Sequence, residues 1–226
     1  MAGTLRYLDK VVIVTGGSKG IGKGIVRVFV ENGAKVVFCA RGVEAGRCLE
    51  TELNRAGPGS CLFLPGDMTK EADIKKLISV TAERFGRIDC LVNNAGWHPP
   101  HRSIDETTAE EFRDLLNFNL ISYFLTTKAR HRDYALPHLR QCQGNIINIS
   151  SNVMTPLWEE LASQTGDAAA TIKAGEEAQL IGRMGTEAEC GLAALFLAAD
   201  ASFCTGVDLL LSGGAELNYG RKSQIS

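Results

Sequence analysis

The sequence contains no apolar run approaching the roughly 18 residues that a membrane-spanning helix needs, and its 226 residues carry a net charge of only −2. The first absence excludes a helical membrane protein. The second removes any electrostatic reason to expect nucleic acid or an anionic membrane as a partner. Near the N-terminus the apolar run Val11–Val14 is too short for a signal-peptide core and reads as a strand. Cysteine occurs seven times, at 39, 48, 61, 90, 142, 190 and 204, but never as Cys-x-x-Cys, and several stand in apolar, strand-like runs. Buried, reduced thiols in an intracellular, cytoplasmic protein are therefore expected. His98-x-x-His101 has no Cys or carboxylate set beside it, so no metal site is expected. Nor does any linker, repeat or low-complexity segment divide the chain, and one domain over residues 1–226 is the expectation.

What the sequence does contain is alternation. Short β-branched runs predict strands at Val11–Thr15, Lys35–Cys39, Cys61–Leu64, Ile88–Val92, Asn145–Ile149 and Val207–Leu211. Between them, helical periods predict helices at Gly22–Asn32, Glu44–Leu53, Glu71–Phe85, Ala109–Thr127 and Thr186–Ala199. "TAEE" and "TEAE" place Thr108 with Glu111, and Thr186 with Glu189, in the spacing of a capping box. Fully apolar strands alternating with helices argue for an α/β fold, a doubly wound parallel sheet covered on both faces.

The most informative local signal is "VVIVTGGSKGIGKGIV". A buried strand ends at Thr15, and Gly16, Gly20 and Gly22 then punctuate the turn into a helix. Glycines at such a turn allow tight bending, close backbone approach to a pyrophosphate, and close packing of helix on strand. The unpaired N–H groups of the helix start would meet the phosphates. Gly16, Ser18, Lys19, Gly20, Ile21 and Gly22 are thus candidate cofactor-binding residues.

The spacing Gly-x-x-x-Gly-x-Gly after Thr15 resembles the short-chain dehydrogenase/reductase family, and further landmarks follow in the family's order. "GDMT" sets Asp67 and Met68 where the family holds the adenine end. "NNAG" supplies Asn94, Ala95 and Gly96. "NFNL" places Asn119 at the family's helix asparagine, and "NISS" places Ser151 at the catalytic serine. Val153 and Thr155 match positions beside the nicotinamide, although Thr155 reads equally as an N-cap with Pro156 at the first helical position. His98 and Trp158 match substrate-side positions. A plain loop histidine and a core tryptophan are the alternatives. "NNAGWHPP", "TPLWEEL" and "GGAELNYG" resemble the family's 17-beta-hydroxysteroid dehydrogenases. The resemblance implies a Rossmann fold and NAD(P)-dependent oxidation or reduction of a secondary alcohol or ketone. The substrate would be a 17-hydroxy/oxo steroid or a similarly sized hydroxylated molecule such as a sugar, and the assembly a homotetramer.

NAD-binding members place an acidic residue at the end of the second strand, about 20 residues past the glycines. Here that strand ends "VVFCARG", with Ala40 and Arg41 at the position. No carboxylate repels a 2′-phosphate there, and a guanidinium can pair with one. NADP(H) is therefore favoured, with NAD(H) possible should Arg41 only stack on the adenine or face solvent.

The resemblance also implies a tyrosine base and a lysine four residues later. A free phenol has a pKa near 10, and a neighbouring ammonium is what brings it toward working pH. This chain has tyrosines at 7, 123, 134 and 219, followed four residues on by Val11, Thr127, His138 and Ser223. Of the family's catalytic set, Ser151 and Asn119 are present and the Tyr-x-x-x-Lys pair is not, so the chain is expected to be a catalytically impaired dehydrogenase or, alternatively, an inactive dinucleotide-binding or interaction module. "NVMTPLWEE" resembles a later segment joined directly to Ser151, so the helix with Tyr and Lys and the sixth strand are expected to be missing. The fold would then be incomplete, with an exposed apolar patch and with Val207–Leu211 paired to the fifth strand or unpaired. Upstream, "TTKARHRDYALPHL" is about five residues longer than the family's helix, a rotation of about 140° beyond a full turn. A break near Ala129–Asp133 is expected.

Overall fold

The structure, a computed structural model, describes residues 4–97, 104–128, 132–150, 162–163 and 165–215. Five strands form one parallel sheet: β1 (Val11–Thr15), β2 (Lys35–Ala40), β3 (Ser60–Pro65), β4 (Cys90–Asn93) and β5 (Asn145–Asn148). Their order is β3-β2-β1-β4-β5. Val12 stands beside Val36 on one side and Cys90 on the other, and Val92 beside Ile147. The winding reverses between β1 and β4, so a crevice opens at the carboxyl ends of those two strands.

Eight helices of one and a half turns or more lie among the described residues: α1 (Gly20–Glu31), α2 (Val43–Ala56), α3 (Glu71–Phe85), α4 (Ala109–Leu116), α5 (Ser122–Thr127), α6 (Ala135–Cys142), α7 (Ala168–Glu177) and α8 (Glu187–Ala199). Side chains alternate across the pleat. Val12, Val14, Val36, Phe38 and Val92 join Ile25, Phe29 and Leu195 in one core, beneath α1, α2 and α8. Ile13, Val37 and Leu91 join Ile74, Leu77, Ile78 and Leu139 in the other, beneath α3 and α6. Burial from both sides is why β1 is apolar at four consecutive positions instead of alternating. Both predicted capping boxes form, with Thr108 and Thr186 each accepting from the backbone N–H three residues on.

At the opposite end of the sheet from the crevice, Asp89 is almost fully buried. Its carboxylate accepts from the Val11 backbone N–H at 2.9 Å and from Arg87 Nε at 2.8 Å. Lys10 Nζ lies 3.4 Å away. The start of β4 is thereby fastened to the start of β1.

The expected long helix over 109–127 forms, but with a five-residue π-helical segment, Asn117–Ile121, between α4 and α5. It ends at Thr127, and α6 begins at Ala135, so the expected break is present; residues 129–131 lie outside the described ones. The strand expected at Val207–Leu211 does not form. A strand exists only where a neighbour completes its hydrogen bonds, and among the described residues β5 pairs with β4 alone. The short α6, and α7, which buries no residue fully, were not anticipated. An exposed helix lacks the apolar stripe on which periodicity depends. The expected apolar exposure is found on α4–α5, at Phe112, Leu116, Leu120 and Phe124, and at residues 203–211. Among the described residues no helix is long and apolar enough to cross a membrane.

Candidate active site

The crevice is built by two turns that lock onto each other. Thr15 ends β1, and its Oγ1 accepts from the backbone N–H groups of Asn94 and Ala95 at 2.9 and 3.0 Å. In return, Asn94 Nδ2 donates to the Thr15 and Gly16 carbonyls at 2.9 and 3.2 Å. Gly17 N–H donates to the Cys39 carbonyl at 3.0 Å, which joins the turn to β2 as well. Gly16 and Gly20 hold φ of +67° and +58°, left-handed values that favour glycine. Lys19 is the N-cap of α1 and caps it with no side-chain hydrogen bond, leaving first-turn N–H groups to a ligand. Ser18 is half-buried, Lys19 exposed and Ile21 buried. A side chain at Gly22 would enter the space of the Gly16 carbonyl and Asn94. The cradle is therefore a backbone surface with positive dipole potential, which fits a pyrophosphate.

At the end of β2, Ala40 is half-buried and Arg41 exposed. The guanidinium of Arg41 lies 5.3 Å from the centroid of the Phe118 ring, in the π-helical segment. Arg41 is thus held by an aromatic face of the protein itself, a partner that the sequence did not point to. Asp67 accepts from the Thr69 N–H and hydroxyl at 3.0 and 2.9 Å. Burial pushes the Asp67 carboxyl up, but those hydrogen bonds and the charges of Arg41 and Lys70 outweigh it and leave it below its ordinary value. Met68 is buried, its sulfur 3.6 Å from the Cys39 thiol.

Past β4 the polar groups interlock. Asn93, fully buried, accepts from Thr126 Oγ1 at 2.7 Å and donates to Asn148 Oδ1 at 3.0 Å. This ties the ends of β4 and β5 to α5. Asn119 accepts from the Trp97 N–H at 2.9 Å and donates to its carbonyl at 2.8 Å. Asn119, expected as a member of the catalytic set, is therefore already clamping the loop after Gly96, with one lone pair and one N–H left for another partner. Its place in a π-helical segment accords with the frequency of such bulges at functional sites. Ala95 is buried and Gly96 exposed. Tyr123, one helical turn past Asn119, directs its hydroxyl to the Ile149 carbonyl at 3.4 Å. Burial pushes that phenol up to about 12. Ser151, Val153, Thr155, Trp158 and His98 lie outside the described residues. The partnerships of Asn93, Thr126, Asn148 and Tyr123 were not legible in the sequence, because each joins residues far apart along the chain.

A doubly wound parallel sheet with a glycine cradle at its switch point defines a dinucleotide-binding α/β protein. Residues 10–163 match the short chain dehydrogenase family, and the chain belongs to that family. It is 46% identical to the L-fucose dehydrogenase of Mus musculus over 270 aligned positions, covering 100% of this chain and 95% of that protein. The L-fucose dehydrogenase of Bos taurus is 47% identical over 267, with 99% and 95% covered. With 270 aligned positions against 226 residues, at least 44 positions of the mouse protein have no counterpart here. The ligand-free aldohexose dehydrogenase of Thermoplasma acidophilum superposes with a TM-score of 0.81 at 25% identity, covering 95% of this chain and 97% of that one. The expected kinship with the 17-beta-hydroxysteroid dehydrogenases, and a steroid substrate, find no support among these proteins, whose names are those of sugar dehydrogenases.

Proposed function

We propose that this chain, as one cytoplasmic domain over residues 1–226, binds NADP(H) ahead of NAD(H) together with a hydroxylated small molecule of sugar size, and turns it over poorly. The observation that carries the reading is the intact cradle of Gly16–Gly22 locked to Asn94, in a sequence without a Tyr-x-x-x-Lys pair. The backbone from Gly16 to Gly22 would hold the pyrophosphate, Arg41 the 2′-phosphate, and Asp67 and Met68 the adenine. By resemblance, Asn94–Gly96, Val153 and Thr155 would line the nicotinamide side, with Ser151, His98 and Trp158 toward the substrate. When bound, the nicotinamide supplies the hydride acceptor or donor. The protein's own task is then to move the hydroxyl proton. Among the described tyrosines, Tyr123 reaches the end of β5, but burial holds its proton more tightly, the wrong direction for a base. The positions without counterpart are placed, in this reading, between Ser151 and Thr155. The names of the full-length relatives favour a sugar over a steroid.

One paired measurement tests this: NADPH and NADH titration by fluorescence, with L-fucose and estradiol turnover followed alongside. NADPH should bind, and L-fucose turnover should fall roughly 10²–10⁴-fold below that of an L-fucose dehydrogenase, the range a positioned general acid–base contributes. Turnover within tenfold would sink the impaired reading, and no dinucleotide binding would sink the whole proposal. Arg41→Ala should reduce the preference for NADPH over NADH about tenfold, the loss of one charge-assisted contact. A preference for NADH that Arg41→Ala leaves unchanged would show the cofactor assignment to be wrong.

A further inference from the structure

Two features that the proposed function does not use complement each other. Among the described residues, β5 gives one hydrogen-bonding edge to β4 and has no strand on the other. An unpaired edge is a template for a further strand. The same chain carries such a segment. Val207–Leu211 reads "VDLLL", makes no backbone hydrogen bond to any described residue, and leaves its four apolar side chains 43–62% exposed. Phe203, just before it, is wholly exposed.

Among the described residues the segment makes no backbone hydrogen bond to its own β5. It leaves α8 near the foot of β5, where Asn145 Nδ2 donates to the Leu197 and Ala198 carbonyls. The chain then curls, with Ser202 N–H donating to Asp200, and Cys204 N–H to Ala201. At its far end the Gly213 carbonyl accepts from Ile181 N–H at 3.2 Å. Residues 207–211 thus form a strap tethered at both ends, with apolar side chains in water.

We infer that this strap pairs with the β5 edge of a second copy of the chain, each copy giving one strap and receiving the other. The exchange is self-complementary, as a two-fold dimer requires. One copy offers a four-residue edge, and the other a five-residue donor that alternation would split into Val207, Leu209 and Leu211 on one side and Asp208 and Leu210 on the other. Phe203 and the strap's four apolar residues, 43–103% exposed, together expose roughly 500 Å² per copy. The pair would bury about 1,000 Å², the lower bound for a specific interface. Asp208 is the one charge in Phe203–Leu211, and the chain's net charge of −2 offers little repulsion.

Sedimentation over a dilution series, with amide hydrogen exchange at low and high concentration, tests the inference. A dimer should form on concentration, and residues 145–148 and 207–211 should gain protection together. Only alternate N–H groups of the strap can face the β5 edge, so of Leu209→Pro and Leu210→Pro, made separately, one removes a ladder donor and should weaken association by roughly tenfold or more, about 1.4 kcal/mol, with the monomer's dichroism and melting unchanged. Three outcomes overturn the inference: a monomer at all concentrations, a dimer whose protection is confined to α4–α5, or strap protection independent of concentration. Dimerisation like the parent's by both proline variants overturns it too.

Discussion

Gly22→Ala is expected to abolish measurable NADPH binding and to cost about 1–3 kcal/mol of stability, the range for forcing a methyl group into a filled site. A Cβ at this position would be driven into the Gly16 carbonyl oxygen and to 2.5 Å from Asn94 Nδ2. Neither obstacle is a flexible side-chain tip. The Gly16 carbonyl belongs to a left-handed turn and accepts from Asn94, and Asn94 is fixed in turn by Thr15. Relief therefore requires the glycine turn and the "NNAG" turn to separate, which dismantles the cradle. Gly42→Ala is the control: a Cβ there meets nothing within 4 Å at an ordinary φ of −74°, and the variant should bind and melt like the parent. Thermal melting and fluorescence titration read both effects. A Gly22→Ala protein that melts lower yet binds NADPH as tightly as the parent would show that the pyrophosphate lies elsewhere.

Asp89→Ala is expected to lower stability by about 3 kcal/mol at neutral pH without changing the cradle. It leaves the Val11 N–H unpaired at the foot of the sheet, at about 1–3 kcal/mol, and removes the charge-assisted bonds from Arg87. The pH dependence separates this from simple loss of packing. Burial pushes the Asp89 carboxyl up, but the Arg87 and Val11 hydrogen bonds and the charges of Arg87 and Lys10 more than offset it, leaving it below its ordinary 3.8. A carboxyl lowered by folding contributes stability that is complete above the unfolded value. That stability is lost as pH falls through the folded value, because the unfolded chain takes up the proton first. Urea denaturation across a pH series should therefore show the parent weakening below about pH 4, and Asp89→Asn weakening less steeply there. Parallel curves would show that Asp89 is not an ionised anchor.

These two sites differ in how far the sequence exposes them. The glycine spacing and the strand before it are local, and β1 was predicted to the residue because four consecutive apolar positions are what burial on both faces requires. The capping boxes at Thr108 and Thr186 were readable for the same reason, since both partners lie within one turn. Asn94 was readable as part of a motif, but its hold on Gly16 was not, because the residues are 78 apart. Arg41 on Phe118 is of that kind too. Val207–Leu211 shows the opposite failure. Its composition suits a strand, yet propensity measures fit to a neighbouring strand, and among the described residues this segment pairs with none. The π-helical turn at Asn117–Ile121 has no composition signal at all, being a matter of hydrogen-bond register within an otherwise ordinary helix.

The reciprocal lock between Thr15 and Asn94 also has a kinetic meaning. Its halves belong to β1 and to the turn after β4, with three helix crossovers between them, so neither can form its share of the cradle early and alone. Closing a contact across 79 residues is slow relative to local helix formation. Dinucleotide affinity should therefore emerge late in refolding, after most helical dichroism has returned. A ligand that binds only that state would raise the melting temperature in proportion to the logarithm of its concentration. Bound NADPH fluorescence would then report the docking of the two halves of the sheet rather than collapse of the chain.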